Sequence, residues 1–296
     1  MKPYGYVAAK DSVHAVALLA EHGAAAKILA GGTDLLVELK HTSQPADVVV
    51  DISRAEDLKR IAITGEGLSI GALVTHTEIM QSPLIQDLFP ALVEAAYTVG
   101  AVQTRNLGTL GGNLITCVPS MDSGPTLVAL EARVTVAGPA GHRQMPLPDL
   151  FAGPRKTTLK PNELLTEILI PKVNLGKPTA FLKLGLRKGQ ALALVNVAAS
   201  LWVDWDKNIF VKPRISLGAV APTVIRAPKA EAFLEGREIT PEAMAEAGHI
   251  AVGEAKPISD YRASAEYRRD LIAVLTKRAL ATAYVRAEAK RGELPK

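Results

Sequence analysis

Residues 28–40 read ILAGGTDLLVELK, a short apolar run, paired glycines, Thr33 and Asp34, and then apolar residues at helical spacing. A strand that breaks at paired glycines and restarts as a helix is a recurrent way to hold a phosphate. Successive backbone N–H groups in such a turn form a concave anion site, and the helix adds its positive end. Gly31 and Gly32 permit positive φ and let a ligand approach the backbone closely, and Thr33 adds a hydroxyl donor. Asp34 would repel a phosphate if turned inward. It fits better as the cap of the helix starting at Leu35, accepting from that helix's free N–H groups. A second loop with the same ingredients follows at Gly108, Thr109, Leu110, Gly111, Gly112 and Asn113. One glycine turn is weak evidence, but two suit a ligand with two phosphates gripped from both sides. Neither loop is a GxxxxGK[ST] or GxGxxG fingerprint, so the NTPase and Rossmann readings lose their main support. Two structural turns with no ligand are the alternative that this chemistry leaves open.

Outward from these loops, 296 residues leave room for two domains or one large domain with subdomains. An apolar share of 48% and a charged share of 22% are ordinary for a soluble globular chain. A chain of this size needs no disulfide or metal to fold. Cys117 is the single cysteine, which excludes an intrachain disulfide and a four-cysteine iron–sulfur cluster. The start, MKPYGYVAAKDS, lacks the apolar core of a signal peptide, and no apolar run is long enough to span a membrane. A soluble cytoplasmic protein is the default expectation. Net charge is +4. Basic residues gather in the tail, where Arg262, Arg268, Arg269, Lys277, Arg278, Arg286, Lys290 and Arg291 interleave with Glu266, Asp270 and Glu288. They read as the solvated face of a helix, the alternative being a nucleic-acid or subunit contact. Aromatic residues do not alternate with them as a single-strand platform requires. The histidines (14, 22, 41, 76, 142 and 249) show no metal-ligand spacing and read as surface or satisfied residues.

Along the chain, KDSVHAVALLAEHG predicts a helix over 12–22, capped by Asp11 or Ser12 and stopped at Gly23. AKILAGG and DVVVDI (47–52) read as strands, the second buried on both faces. LSIG (68–71) reads as a third strand, and THTEIMQS and FPALVEAAYTVG as helices with Pro90 in a first turn. In the stretch 101–130, Gly108, Gly111 and Gly112 predict no stable helix. A hairpin follows, with its first strand over 132–137 and a turn through Gly138, Pro139 and Gly141. NELLTEILIPK is a strand closed by Pro171, and 174–178 reads as a linker. Beyond it lie three strands and helices near 227–235, 240–251 and 263–290. The order implies α+β subdomains.

AGGTDLL (30–36) with RNLGTLGGNLIT (105–116) strongly resembles the FAD-binding medium subunit of the molybdenum hydroxylases, the xanthine dehydrogenase and aerobic carbon monoxide dehydrogenase family. FLKLGLRKGQALALVNVAASL (181–201) and ISDYRASAEYRRDLIAVLTKRAL (258–280) agree, so the resemblance covers nearly the whole chain. It implies an α+β fold of the vanillyl-alcohol-oxidase (PCMH) type. Two FAD-binding subdomains (1–57 and 58–173) would precede a C-terminal domain (178–296) of antiparallel sheet and helices. It implies that Leu29, Ala30, Gly31, Gly32, Thr33, Asp34, Leu35 and Leu36 grip the FAD diphosphate and adjoining sugar. Thr109, Leu110, Gly111, Gly112 and Asn113 would face them, with Ile115 beyond. Gly100 and Ala101 would line the cofactor channel. Asp122 would bond a cofactor hydroxyl, Leu165 would pack on the cofactor, and Lys183 would lie near the ring end. Each of the last three has a plainer reading: a local helix cap, a core residue and a solvated strand residue.

The resemblance further implies that the organic substrate is oxidised elsewhere, at a molybdenum–pterin centre in a large subunit. Electrons would cross two [2Fe–2S] clusters in a small subunit, reach the FAD here, and leave for NAD, a quinone or another carrier. The assembly implied is a dimer of heterotrimers, with no nucleic acid and no membrane span. No catalytic acid or base is expected on this chain, since the cofactor carries the chemistry. The competing expectations are a stand-alone FAD-dependent oxidase or reductase on the same fold, and a non-enzymatic nucleotide-binding protein.

Overall fold

Asp11, not Ser12, caps the first helix, its carboxylate accepting from His14 N at 2.7 Å. The computed structural model describes residues 3–41 and 46–291. Its first unit runs β1 (Gly5–Ala8), α1 (Ser12–His22), β2 (Ala26–Leu29), α2 (Leu35–His41) and β3 (Val48–Asp51). The three strands form a parallel sheet in the order β1-β3-β2. β3 lies in the middle, which is why Val49 and Val50 are buried, as its β-branched sequence predicts. β1 is an exposed edge of four residues, too short and too polar in setting to announce itself. Ala15, Leu19 and Val50 form the core of this unit.

The second unit comprises β4 (Ile61–Ile63), β5 (Gly67–Gly71), then α3 (His76–Gln81), α4 (Pro83–Leu88), α5 (Pro90–Thr98), α6 (Val102–Leu107), α7 (Leu110–Thr116) and α8 (Ser123–Ala129). It continues through β6 (Arg133–Gly138), β7 (Gly141–Pro146), β8 (Phe151–Gly153), β9 (Lys156–Thr157) and β10 (Leu164–Pro171). Five of its strands make an antiparallel sheet, β4-β5-β10-β6-β7. Thr75 and Glu78 close a capping box on α3, and Pro83 and Pro90 open α4 and α5.

The stretch 101–130 departs from expectation, since three helices occupy it. Thr109 caps α7 by accepting from Gly112 N at 3.0 Å. Gly111 lies so close to the neighbouring backbone that a Cβ there would sit 2.6 Å from the Ala72 carbonyl oxygen. Each glycine costs the helix about 1 kcal/mol. Burying Leu110 and Leu114 completely returns about 1.5–3 kcal/mol apiece. Packing therefore overrides propensity.

The last unit is β11 (Thr179–Gly185), β12 (Ala193–Asp204), β13 (Ile209–Gly218), β14 (Ile225–Arg226), α9 (Pro228–Leu234), α10 (Pro241–Val252) and α11 (Ala265–Ala289). Its sheet is antiparallel in chain order, and α10 and α11 cover it. The basic tail is less solvated than its charge pattern predicts. Arg268 is 3% exposed, with Nη1 donating to Leu194 O at 2.5 Å and Nη2 to Asp260 at 2.9 Å. Arg286 pairs with Glu94 of α5 and donates to Thr179 O at 2.6 Å. Lys290 Nζ reaches Asp87 O at 2.6 Å. Arg268 thus ties α11 to its own unit, Arg286 and Lys290 bolt its far end to the second unit, and Arg269, Lys277 and Arg278 stay exposed.

The segment expected as a linker is also buried. Asn174 and Lys177 are each 1% exposed, and Lys177 Nζ donates to Lys212 O at 2.7 Å. Burial, with Arg214 beside it, pushes the Lys177 ammonium down to about 7. Among the described residues no helix is long and apolar enough to cross a membrane.

Candidate functional site

The first glycine loop leaves the carboxyl end of β2 and meets the second loop edge-on. A Cβ on Gly31 would lie 1.8 Å from the Leu107 carbonyl oxygen, so only glycine permits this approach. Gly32 follows with φ +72, a left-handed conformation that other residues rarely adopt. Among the described residues, the N–H groups of Gly31, Gly32, Thr33 and Asp34 find no acceptor. The carbonyls of Gly32 and Asp34 do accept, from Leu36 N at 3.1 Å and Glu38 N at 2.9 Å. The turn therefore presents a row of unspent donors beside the start of a helix. Asp34 holds the capping position through its carbonyl. Among the described residues its carboxylate makes no bond to α2, and the residue lines the cleft instead. That corrects the expected side-chain cap.

The second loop behaves differently. Leu110 N donates to Val74 O at 2.8 Å, Gly111 N to Ala72 O at 2.9 Å and Asn113 N to Thr109 O at 2.9 Å. Gly112 N is spent on the Thr109 hydroxyl. Most of this loop's N–H groups are spent internally, so it supplies chiefly a close wall at Gly111 and Gly112. Among the described residues the Thr109 N–H finds no acceptor, and the amide of Asn113 also faces this region, its Oδ1 accepting from Ser123 at 2.6 Å.

Between the loops lies a cleft of about 450 Å³, within the range of small-molecule sites. Its middle is lined by Gly31, Gly32, Thr33, Thr109, Gly112 and Asn113. Lys27, Arg155 and Lys160 line it together with Asp34, Glu38 and Glu163, Arg155 pairing with Glu38 at 3.5 Å, and Ile28, Ile115 and Leu159 supply apolar surface. The unspent N–H groups suit a diphosphate, and apolar walls suit aromatic rings. The residues present therefore fit a dinucleotide.

Other expected residues divide into four groups. Ala30, Leu35 and Ile115 line the cleft with the loops. Leu110, Gly111 and Leu165 lie behind it in the core, where they shape the loop without facing the opening. The plainer reading of Leu165 is thus the geometric one. Leu29 packs with Leu39 and Val49, and Leu36 is partly exposed. Gly100, with φ +51, and Ala101 join α5 to α6, beside cleft-lining Val99 and Thr104. The Gly100 carbonyl accepts from Gln190 N of the β11–β12 loop at 3.1 Å.

Asp122 and Lys183 form a polar knot next to that junction. Their side chains, each 8% exposed, meet at 2.5 Å. Asn196 Nδ2 donates to Asp122 at 3.0 Å, and Lys183 Nζ also reaches Thr98 O at 3.3 Å. Burial pushes the Asp122 carboxyl up, against the pull of Lys183. Asp122 is therefore not a helix cap by its side chain, and Lys183 is not a solvated strand residue. Thr98, whose carbonyl accepts from Lys183, immediately precedes cleft-lining Val99 in the chain.

Sequence reasoning missed His76. It lines the cleft, is 1% exposed, and its Nδ1 has no partner among the described residues. Burial, followed by the charge of Arg105, pushes its imidazole down to about 4. The reading of every histidine as surface or satisfied fails here. The only sequence signal was its place just after the Thr75 cap, which says nothing of the cleft.

A family model described as the FAD binding domain in molybdopterin dehydrogenase matches residues 2–173. The chain belongs to that family. A second model, the CO dehydrogenase flavoprotein C-terminal domain, matches residues 180–283. The carbon monoxide dehydrogenase medium chain of Hydrogenophaga pseudoflava is 33% identical, covering 96% of this chain and 98% of the relative. A putative xanthine dehydrogenase FAD-binding subunit of Escherichia coli is 31% identical, over 96% and 97% of the two chains. A solved carbon monoxide dehydrogenase from Hydrogenophaga pseudoflava superposes with TM-score 0.91 at 34% identity, over 97% of this chain and 99% of that one. As a molybdopterin-dehydrogenase flavoprotein, the chain takes FAD as its cofactor and has the α+β fold of that family.

Proposed function

We propose that this chain is the electron-transfer flavoprotein of a multi-subunit molybdenum hydroxylase, receiving electrons from [2Fe–2S] clusters of a partner and passing them to NAD, a quinone or another external carrier. The observation that carries the reading is the row of unspent N–H groups at Gly31–Asp34 facing the Gly112 wall across one cleft. In this reading the first loop solvates the FAD diphosphate with backbone dipoles that need no reorganisation. Thr33 and Asn113 add side-chain hydrogen bonds, and Ile115 packs on the cofactor. The knot beyond Gly100 receives the flavin end, where Asp122 and the Thr98 carbonyl hold Lys183 in place. FAD itself supplies the redox chemistry when bound, accepting and releasing electrons. FAD-binding subdomains over 1–57 and 58–173 and a C-terminal domain over 178–296 complete the proposed division of labour.

A single cysteine cannot ligate an iron–sulfur cluster. The single cysteine fits clusters held on another chain, and in keeping with the family likeness we assign them to a small subunit and the molybdenum–pterin centre to a large one, in a dimer of heterotrimers. The test is the isolated chain reconstituted with FAD and offered CO, purines, aldehydes and N-heterocycles with an artificial acceptor. No turnover is expected without the partners. Unaided oxidation of any of these substrates would overturn the proposal in favour of a stand-alone flavoenzyme.

A further inference from the structure

The side chain of Arg155 crosses the cleft. Arg155 sits at the tip of the β8–β9 hairpin, where Gly153 pairs with Lys156 and Pro154 and Arg155 make the turn. Its φ is +57. Directly after a turn proline, a left-handed conformation is the place of Gly or Asn, so an arginine there carries backbone strain. The tip is pinned to the wall that bears the second loop. Arg155 N donates to Cys117 O at 2.9 Å, at the end of α7, and Cys117 Sγ donates to Gly153 O at 3.3 Å. From this anchored backbone the guanidinium reaches the opposite wall, with Nη1 3.5 Å from Glu38 Oε1 of α2. Among the described residues this is the one ion pair whose two members both line the cleft.

Glu38 N donates to Asp34 O, so Glu38 stands one helical turn beyond the unspent donors of Gly31–Asp34. Helical side chains lean toward the N-terminus, which carries the Glu38 carboxylate, and Arg155 with it, toward that row. Asp34 and Glu38 thus place two carboxylates beside the diphosphate seat. Glu163, the third acid of the lining, is already engaged by Arg143 and by Lys160 N. The Arg155–Glu38 contact is single and long, between side chains each 60% exposed, and such surface pairs contribute little. A diphosphate offers two negative charges and several oxygens to the planar guanidinium, which favours paired, charge-assisted hydrogen bonds. We propose that Arg155 is a cofactor-clamping residue, exchanging Glu38 for the diphosphate of the entering dinucleotide and closing over it from the hairpin side. The proposal rests on the FAD reading of the cleft and adds a residue to it. Backbone N–H groups grip from one wall and Arg155 from the other, and Glu38 holds the guanidinium across the cleft until the cofactor enters.

The experiment is FAD titration of the flavin-stripped full-length chain, read by quenching of flavin fluorescence at fixed salt. The variants are Arg155→Met, Glu38→Gln, the two combined, and Lys156→Met. Loss of one charge-assisted hydrogen bond weakens FAD binding about tenfold in Arg155→Met. Glu38→Gln tightens binding about twofold by releasing the guanidinium, and this gain disappears in the Arg155→Met background, where nothing is left to release. Lys156→Met is the control. It removes one positive charge from the same hairpin at an exposed residue outside the cleft lining, and its affinity stays near wild type. Three results overturn the proposal while leaving the FAD reading intact: an Arg155→Met loss below about threefold, an equal loss in Lys156→Met, or a Glu38→Gln gain that is absent or the same in both backgrounds. Absence of FAD binding by wild type overturns both. Thermal unfolding without flavin identifies a misfolded Arg155→Met, and in that event Arg155→Gln is subject to the same criteria.

Discussion

Replacing Gly31 with alanine adds one methyl group, and the structure says where it goes. The new Cβ would stand 1.8 Å from the Leu107 carbonyl oxygen and 2.5 Å from the Leu107 carbonyl carbon. Both are backbone atoms, so no side chain can swing aside. Restoring an ordinary contact of about 3.4 Å requires the loops to separate by about 1.6 Å, more than a hydrogen bond tolerates. A diphosphate gripped at Gly31–Asp34 would then lose about two charge-assisted hydrogen bonds, each worth about 1.5–3 kcal/mol. The smaller sum, about 3 kcal/mol, weakens FAD binding by about 150-fold. The assay is FAD titration of the flavin-stripped protein, with thermal unfolding of the same sample run without flavin to separate binding from folding. Gly65→Ala is the control, since a Cβ there meets nothing within 4 Å. An FAD affinity within threefold of wild type for Gly31→Ala would refute the loop assignment.

Asp122→Asn leaves Lys183 charged and buried without its counter-ion, which costs about 3–5 kcal/mol in urea unfolding. The double variant Asp122→Asn with Lys183→Met should recover much of that loss, and a strictly additive result would contradict the pairing. Lys177 has a folded pKa lowered to about 7, so the unfolded chain binds more protons between about 7 and the ordinary lysine value. Stability should therefore rise with pH across that window and flatten in Lys177→Met, as measured by chemical denaturation. Burial acts to raise the Asp260 carboxyl, but N–H donors from Arg262 and Ala263 and the Arg262 and Arg268 guanidiniums outweigh it and hold it at about 2. Its contribution is present above the unfolded carboxylate range and is lost as pH falls toward 2. Asp260→Asn should blunt that acid loss, and an unchanged acid limb would argue against the Arg262–Asp260–Arg268 cluster.

What the sequence makes legible follows from how local each constraint is. The loops at 31–34 and 108–113 declare themselves because backbone geometry there depends on residue type, and Gly31 against Leu107 shows the reason. β3, α1 and the hairpin of β6 and β7 are likewise written in short-range pattern and turn residues. α7 is not, since two glycines argue against it and only the fit of Gly111 on Ala72 and the burial of Leu110 and Leu114 explain it. The partnership of Asp122 with Lys183 spans 61 residues, a separation across which no periodic signal acts. The neutral burial of His76, and the commitment of Arg268 and Arg286 to tertiary contacts rather than solvent, depend on neighbours that only the fold brings together. The glycine loops alone leave the class of nucleotide open, and the family narrows it to FAD.

The proposed relay role requires flavin on this chain and redox centres on other subunits. Native purification of the tagged chain, followed by flavin, iron and molybdenum analysis of the particle that carries it, tests this directly. One FAD per chain is expected, with iron and molybdenum in the same particle and none of either metal on the separated chain. A lone chain without flavin, or one whose iron stays with it after separation, would overturn the relay role.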